Sequence, residues 1–337
     1  MSIFVSVAAY RDPELVPTVL DCLTKADRPD ELRIVVNWQH LGGEDVSALR
    51  ADSRVTVLEF DARRSRGVCW ARAQIQRSYV DSDWYLQVDS HTRFAPGWDT
   101  RLVAMAEQTG AAKPILSCYP PTYDPAVEFT GGGEPTLIFL SGWTHDGLPQ
   151  FKHFRIPGWQ EATAPVPARF VAAGFLFAPG SFVREVPYDE RIYYQGEEIN
   201  LATRAFTWGY DLFHPVEVLA WHYYIRENQF RHWMDHRTPG ADHWFDLDRA
   251  GRRRVLTLLR YTMVGGFGTG PVRPLAAYRE YAGIDFARRT ATAETLAGQL
   301  PDRPKAPRTP AGTGPPSGGD LESGQLVGGD RVEDSLR

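Results

Sequence analysis

The sequence predicts an α/β fold, a mixed and mainly parallel sheet flanked by helices. Apolar, β-branched runs of strand length recur between residues 3 and 89. Helical patterns separate several of them, giving the order strand, helix, strand, strand, helix, strand. Polar residues able to carry chemistry follow the third and fourth runs, where the ligands of such sheets bind.

Ile3–Ala9 is a continuous apolar run, a buried first strand. Asp12-Pro13-Glu14 predicts a helix start, with Asp12 as N-cap and Pro13 at the first helical position. Leu15, Val16, Val19, Leu20 and Leu23 then form one apolar face. Leu32–Trp38 and Val55–Phe60 predict the second and third strands, and Val68–Val80 a helix. Trp84–Val88 predicts a fourth strand that ends at Asp89. Residues 118–167 are rich in Pro, Gly and aromatics, so regular structure is expected to break there, with one strand at Thr136–Leu140. An ordered insertion of this kind reads as a substrate-binding surface. Regular structure resumes at Phe170–Phe177. A helix over Glu197–Trp208 follows Gly196 and stops at Gly209. Asp211–His214 and Val216–Trp221 read as short strands. From Pro301 the composition turns to Pro, Gly, Ser and acidic residues, which predicts a disordered tail over 301–337.

Composition narrows the function classes. A chain of 337 residues can bury a sizeable core. A net charge of −5 gives no general basic field, so nucleic acid is not an expected partner. Cys22, Cys69 and Cys118 are sparse and odd in number, which supports neither a disulfide framework nor a zinc knuckle. No run approaches membrane-spanning length, and the apolar start reads as a strand, not a signal peptide. A cytoplasmic protein with no membrane partner is the expectation.

Five segments carry candidate chemistry. In Trp84-Tyr85-Leu86-Gln87-Val88-Asp89-Ser90-His91, strand alternation puts Asp89 and His91 on one side. A carboxylate and an imidazole suit a divalent metal such as Mn²⁺, which can bridge diphosphate oxygens. The same residues also read as a capped turn with a structural His. His222 closes the last apolar strand and could supply a third ligand, although alone it reads as a hydrogen-bonded core His. Glu197 and Glu198 open a helix after Tyr194-Gln195-Gly196. They either complement the helix dipole or bind sugar hydroxyls and orient an acceptor. Arg63, Arg64, Arg66 and Arg72 are either a solvated basic face or contacts to a diphosphate and nucleoside. Arg226 lies in the aromatic, basic stretch Tyr223–His236, which reads as a surface helix or as a lid over the diphosphate.

The order of these segments resembles a known group. Asp89-Ser90-His91, Gly174-Phe175-Leu176-Phe177, Tyr188-Asp189-Glu190, Gly196-Glu197-Glu198 and Trp221-His222 follow the order seen in polypeptide α-GalNAc-transferases. The chain is more similar still to the α-N-acetylglucosaminyltransferases that modify hydroxyproline on a cytosolic ubiquitin-ligase adaptor, and to their bacterial relatives. That likeness rests on Ser6–Glu14, on Asp89-Ser90-His91-Thr92-Arg93-Phe94, and on Gly196–Arg204 with Thr207–Leu212. It covers residues 2–230. Tyr194 stands where the GalNAc-transferases have Trp, and Glu198 where they have Asn.

The resemblance implies a GT-A catalytic domain over residues 1–300, with UDP-GlcNAc as donor, Mn²⁺ or Mg²⁺ as cofactor and retention of anomeric configuration. Asp89, His91 and His222 would hold the metal. Gly174 would let backbone approach the sugar, as the lack of a Cβ allows. Tyr194, Gly196 and Glu197 would contact the donor along with Asp89, and Glu197 and Glu198 would be the catalytic carboxylates. Arg63, Arg66, Arg72 and Arg226 would complete the donor site. The expected acceptor is a hydroxyl of a peptide or protein. A UDP-hexose or UDP-GalNAc transferase acting on a small molecule or glycan is the nearest alternative, and a non-catalytic nucleotide-sugar binding module the other.

Overall fold

The computed structural model describes residues 1–225, 230–236, 243–261 and 266–304. All lie in one compact unit, Met1–Lys305. The expected tail falls outside the described residues, apart from its first four positions.

The first half gives the predicted strands and helices in order, with one short unexpected helix between the second and third strands. It comprises β1 (Ile3–Tyr10), α1 (Leu15–Lys25), β2 (Leu32–His40), α2 (Ser47–Ala51), β3 (Val55–Asp61), α3 (Val68–Arg77) and β4 (Trp84–Asp89). β5 (Thr92–Phe94), α4 (Trp98–Gln108) and β6 (Pro114–Ser117) follow. β1 and β2 are buried almost throughout because helices cover both faces of the sheet, and a doubly covered strand needs continuous apolar residues. On one face α3 packs against Phe4, Val35 and Tyr85. On the other, α1 and α4 pack against Ile3, Val5 and Val7.

The second half contributes β7 (Thr136–Trp143), β8 (Pro149–Arg155), β9 (Val166–Pro167), β10 (Phe175–Pro179) and α5 (Phe182–Glu185). Then come α6 (Glu197–Thr207), β11 (Asp211–His214), β12 (Ala220–His222), α7 (His232–Asp235), α8 (Trp244–Arg260) and α9 (Leu275–Ala282). The main sheet has eight strands in the order β3-β2-β1-β4-β10-β6-β11-β9. β3, β2, β1 and β4 run parallel, and β11 runs parallel to β6. β10 is antiparallel to both β4 and β6, and β9 is antiparallel to β11.

Several expectations need correction. Helix α1 begins at Leu15 with Glu14 at its N-cap, so Asp12 is not the cap. One oxygen of Asp12 does accept the Glu14 amide at 3.0 Å, but the other is used elsewhere. The single strand expected at Thr136–Leu140 is the first arm of a hairpin with β8. The strand expected at Val216–Trp221 shortens to Ala220–His222 and leaves the main sheet to pair with β5. α3 ends at Arg77 and not Val80, and α4 and β6 were not expected at all.

Candidate active site

The β1, β4 and β10 segments meet at one edge of the sheet, where a cleft of ≈ 550 Å³ opens. That size suits a small-molecule ligand or cofactor. Asp89 ends β4, and the chain turns through Ser90 and His91 into β5. Thr92 Oγ1 donates to the Asp89 carbonyl at 2.8 Å, and Thr18 Oγ1 donates to the Ser90 carbonyl at 2.8 Å, which fixes the turn. β12 pairs antiparallel with β5 and sets His222 opposite Thr92. The Tyr223 amide donates to the His91 carbonyl at 3.0 Å. Strand pairing therefore joins two histidines 131 positions apart in the sequence (222 minus 91).

Asp89, His91 and His222 each offer one ligand atom, and these atoms lie within 4.8 Å of one another. His222 Nε2 is 3.1 Å from Asp89 Oδ2, and His91 Nε2 is 3.9 Å from it. Neighbouring ligands around a small octahedral cation with bonds of about 2.1 Å stand roughly 3 Å apart. One carboxylate oxygen and two imidazole nitrogens can hold a divalent first-row ion, Mn²⁺ among them. The donor types fit a metal; the His222–Asp89 pair has that spacing, and the His91 nitrogen stands farther out.

Arg72 underlies this group. It projects from α3 and is 2% exposed. One terminal nitrogen donates to Asp89 Oδ1 at 2.6 Å, and the other pairs with Glu197. Burial opposes the Asp89 charge, but the His222 hydrogen bond and the charge of Arg72 outweigh it, so its carboxyl sits far below the usual range. Asp89 is thus divided, Oδ1 toward Arg72 and Oδ2 toward the two imidazoles.

Gly174, just before β10, forms the wall beside Asp89. A Cβ there would stand 2.9 Å from Asp89 Oδ2. Glu197 and Glu198 open α6 after Gly196, whose φ of +88° is a backbone state glycine tolerates best. Both carboxylates line the cleft. Glu198 accepts the Tyr119 hydroxyl at 2.5 Å and the Ala173 amide at 3.1 Å. Burial pushes the Glu198 carboxyl up to about 7, against those two hydrogen bonds. Tyr194 stands on the rim, 52% exposed.

Of the arginines singled out in the sequence, Arg72 lines the cleft. Arg63, Arg64 and Arg66 are exposed and do not line it, and Arg63 is paired with Asp61 at 2.8 Å. Arg226 lies outside the described residues. Sequence reasoning missed Tyr119 and Asp12. Asp12 accepts from His91 Nδ1 and from Ser90 Oγ, both at 2.6 Å. The available signal was a carboxylate just past the first strand, on the edge that carries Asp89.

A family model described as Glycosyltransferase (GlcNAc) matches residues 2–52 and 42–266. No curated protein matches the sequence closely enough to count as a relative. Among solved structures, GalNAc-T7 with UDP, GalNAc and Mn²⁺ aligns at 16% identity and a TM-score of 0.54, covering 76% of this chain and 48% of that one. The chain therefore spans about half of the GalNAc-T7 chain, and at this identity the likeness is one of fold. S. aureus TarS, residues 1–349, aligns at 10% identity and a TM-score of 0.49, covering 89% of this chain and 70% of that one.

Proposed function

Because the chain belongs to the Glycosyltransferase (GlcNAc) family and has the GT-A fold, we propose that it moves GlcNAc from UDP-GlcNAc to a hydroxyl of a peptide or protein, with retained configuration and a bound Mn²⁺ or Mg²⁺. The observation that carries this reading is the convergence of Asp89, His91 and His222 on the lining of the cleft. Those residues would hold the cation. When bound, it supplies positive charge to offset what collects on the UDP leaving group.

The remaining roles fall to the chain itself. Arg72 keeps Asp89 charged and turned toward the imidazoles. Glu197, fixed by Arg72, is placed to accept hydrogen bonds from sugar hydroxyls. Gly174 keeps the wall beside Asp89 low enough for the sugar. Glu198 orients the acceptor through the Tyr119 contact. Among the described residues, no side chain lining the cleft has the nucleophile-and-base arrangement of a covalent route. In the proposed step, the acceptor oxygen bonds to the anomeric carbon on the face that UDP leaves. The anomeric carbon–phosphate oxygen bond breaks, and the acceptor proton passes to the departing phosphate oxygen. Bringing the two reactants together in one cleft supplies much of the acceleration.

The three cysteines are free and buried, which suits a reducing compartment, and the cytoplasm is the proposed location. Among the described residues, no helix is long and apolar enough to cross a membrane.

The test is UDP release and intact mass of peptide acceptors, with Mn²⁺ and either UDP-GlcNAc, UDP-GalNAc or UDP-glucose. One N-acetylhexosamine added from UDP-GlcNAc is the expected result. Binding of the donor without release under any acceptor condition would favour a binding module. Wild-type turnover in Asp89→Ala and His91→Ala would falsify the mechanism.

A further inference from the structure

We propose that Asp12 is the positioning residue of the Asp89–His91–His222 cation site, holding His91 in the Nδ1–H tautomer so that Nε2 is presented to the ion. This rests on the cation reading above.

The two nitrogens of an imidazole point in different directions, and a neutral ring carries its proton on one of them. His91 Nδ1 lies 2.6 Å from Asp12 Oδ2, and a carboxylate can only accept there. The proton therefore sits on Nδ1, and Nε2 keeps its lone pair on the Asp89 side. Carboxylates placed behind metal-binding histidines work in this way in general.

Asp12 is 4% exposed, and among the described residues three donors reach its two oxygens. The Glu14 amide reaches Oδ1, while Ser90 Oγ and His91 Nδ1 reach Oδ2. The backbone that delivers Asp12 is itself unusual. Arg11 has a φ of +47°, a left-handed state that costs a residue with a Cβ. That state turns the chain off β1, and Arg11 pairs with Asp235 at 2.8 Å on the other side of the turn. An outlier held beside a candidate site is a reason to look for a role there.

Asn at position 12 keeps the size but removes one acceptor. Its oxygen can satisfy the Glu14 amide. Its NH₂ then faces Nδ1, which must accept, and the ring proton moves to Nε2 where it blocks the ion.

The experiment uses the full chain as wild type, Asp12→Asn and Asp89→Asn. Mn²⁺ is titrated calorimetrically without nucleotide. The His91 ring is read by ¹⁵N NMR in metal-free protein, and thermal melts report folding. Wild type is expected to bind Mn²⁺ and to show Nδ1–H. Asp12→Asn is expected to bind about 10–100-fold more weakly and to show Nε2–H. If Asp89→Asn loses binding while Asp12→Asn keeps wild-type affinity and tautomer, the proposal fails and the cation site stands. If wild type binds no Mn²⁺, both fail. If Asp12→Asn does not fold, the wild-type ring spectrum decides, with Nδ1–H in support and Nε2–H against.

Discussion

Arg72 donates to Asp89 Oδ1 at 2.6 Å while its other terminal nitrogen holds Glu197, so one buried guanidinium joins the candidate metal carboxylate to the candidate sugar carboxylate. Burying an ion pair is costly, and removing one partner leaves the other charge uncompensated. Arg72→Ala is expected to lower stability by about 3–5 kcal/mol, read from urea unfolding. Arg72→Lys should recover only part of that, because an ammonium cannot reproduce the planar fork that serves two carboxylates. A loss below ~1 kcal/mol in Arg72→Ala would show that the bridge does not hold the site together.

Gly174→Ala tests the wall beside Asp89. The added methyl carbon would meet Asp89 Oδ2 at 2.9 Å and come within 3.8 Å of His222 Cδ2. The carboxylate can swing away, so stability should change by no more than about 1 kcal/mol. Turnover should fall by about tenfold or more, because a small displacement in a reacting site is costly. Steady-state kinetics beside a thermal melt separates the two effects.

Glu198 gives stability a pH dependence. Its carboxyl stands at about 7 in the folded chain, above its ordinary value of 4.5. Between those values the folded state binds the extra proton, so stability falls as pH rises through this window. The loss at pH 8 relative to pH 4.5 is expected to be about 3 kcal/mol from this group. Glu198→Gln should remove that contribution, flattening the difference between melts at the two pH values. An unchanged pH profile in Glu198→Gln would assign the trend to other groups.

Removing the cation should lower the melting temperature of wild type. An ion present at 100 times its dissociation constant stabilises a folded chain by about 2.7 kcal/mol. Chelation should lower Tm and abolish UDP release, and Mn²⁺ should restore both. His222→Ala loses one of the three ligand atoms, so its Tm should hardly respond to either treatment.

β1 and β2 were legible because they are covered on both faces and read as nearly unbroken apolar runs. α4 escaped because its N-terminal signal serves another segment. Asp99 in its first turn accepts the Asp27 and Arg28 amides at 2.8 and 2.9 Å. β6 is four residues long and opens on Pro114, too short to show a period. Asp12 illustrates the limit most clearly. Its bond to the Glu14 amide is local and resembles a cap, while its bond to His91 spans 79 positions and exists only after folding. Arg63 and Arg66 follow a strand end, as ligand-binding residues do, yet the short turn Ala62–Arg64 leaves them in solvent. Position along the chain gave the correct edge but not the direction of each side chain.

The reversed course of β10 has a consequence for how this enzyme can change. Its parallel neighbours reach the cleft as they finish, so what they contribute is fixed by the stretch leaving the sheet. β10 reaches it as it enters, which makes the connection from β9, with Ala173 and Gly174, an independent supplier of parts. Substitutions arriving through that route can reshape the Gly174 wall of the cleft while the turn holding Asp89 and His91 keeps its own anchors, so one side of the cleft can change without rebuilding the other.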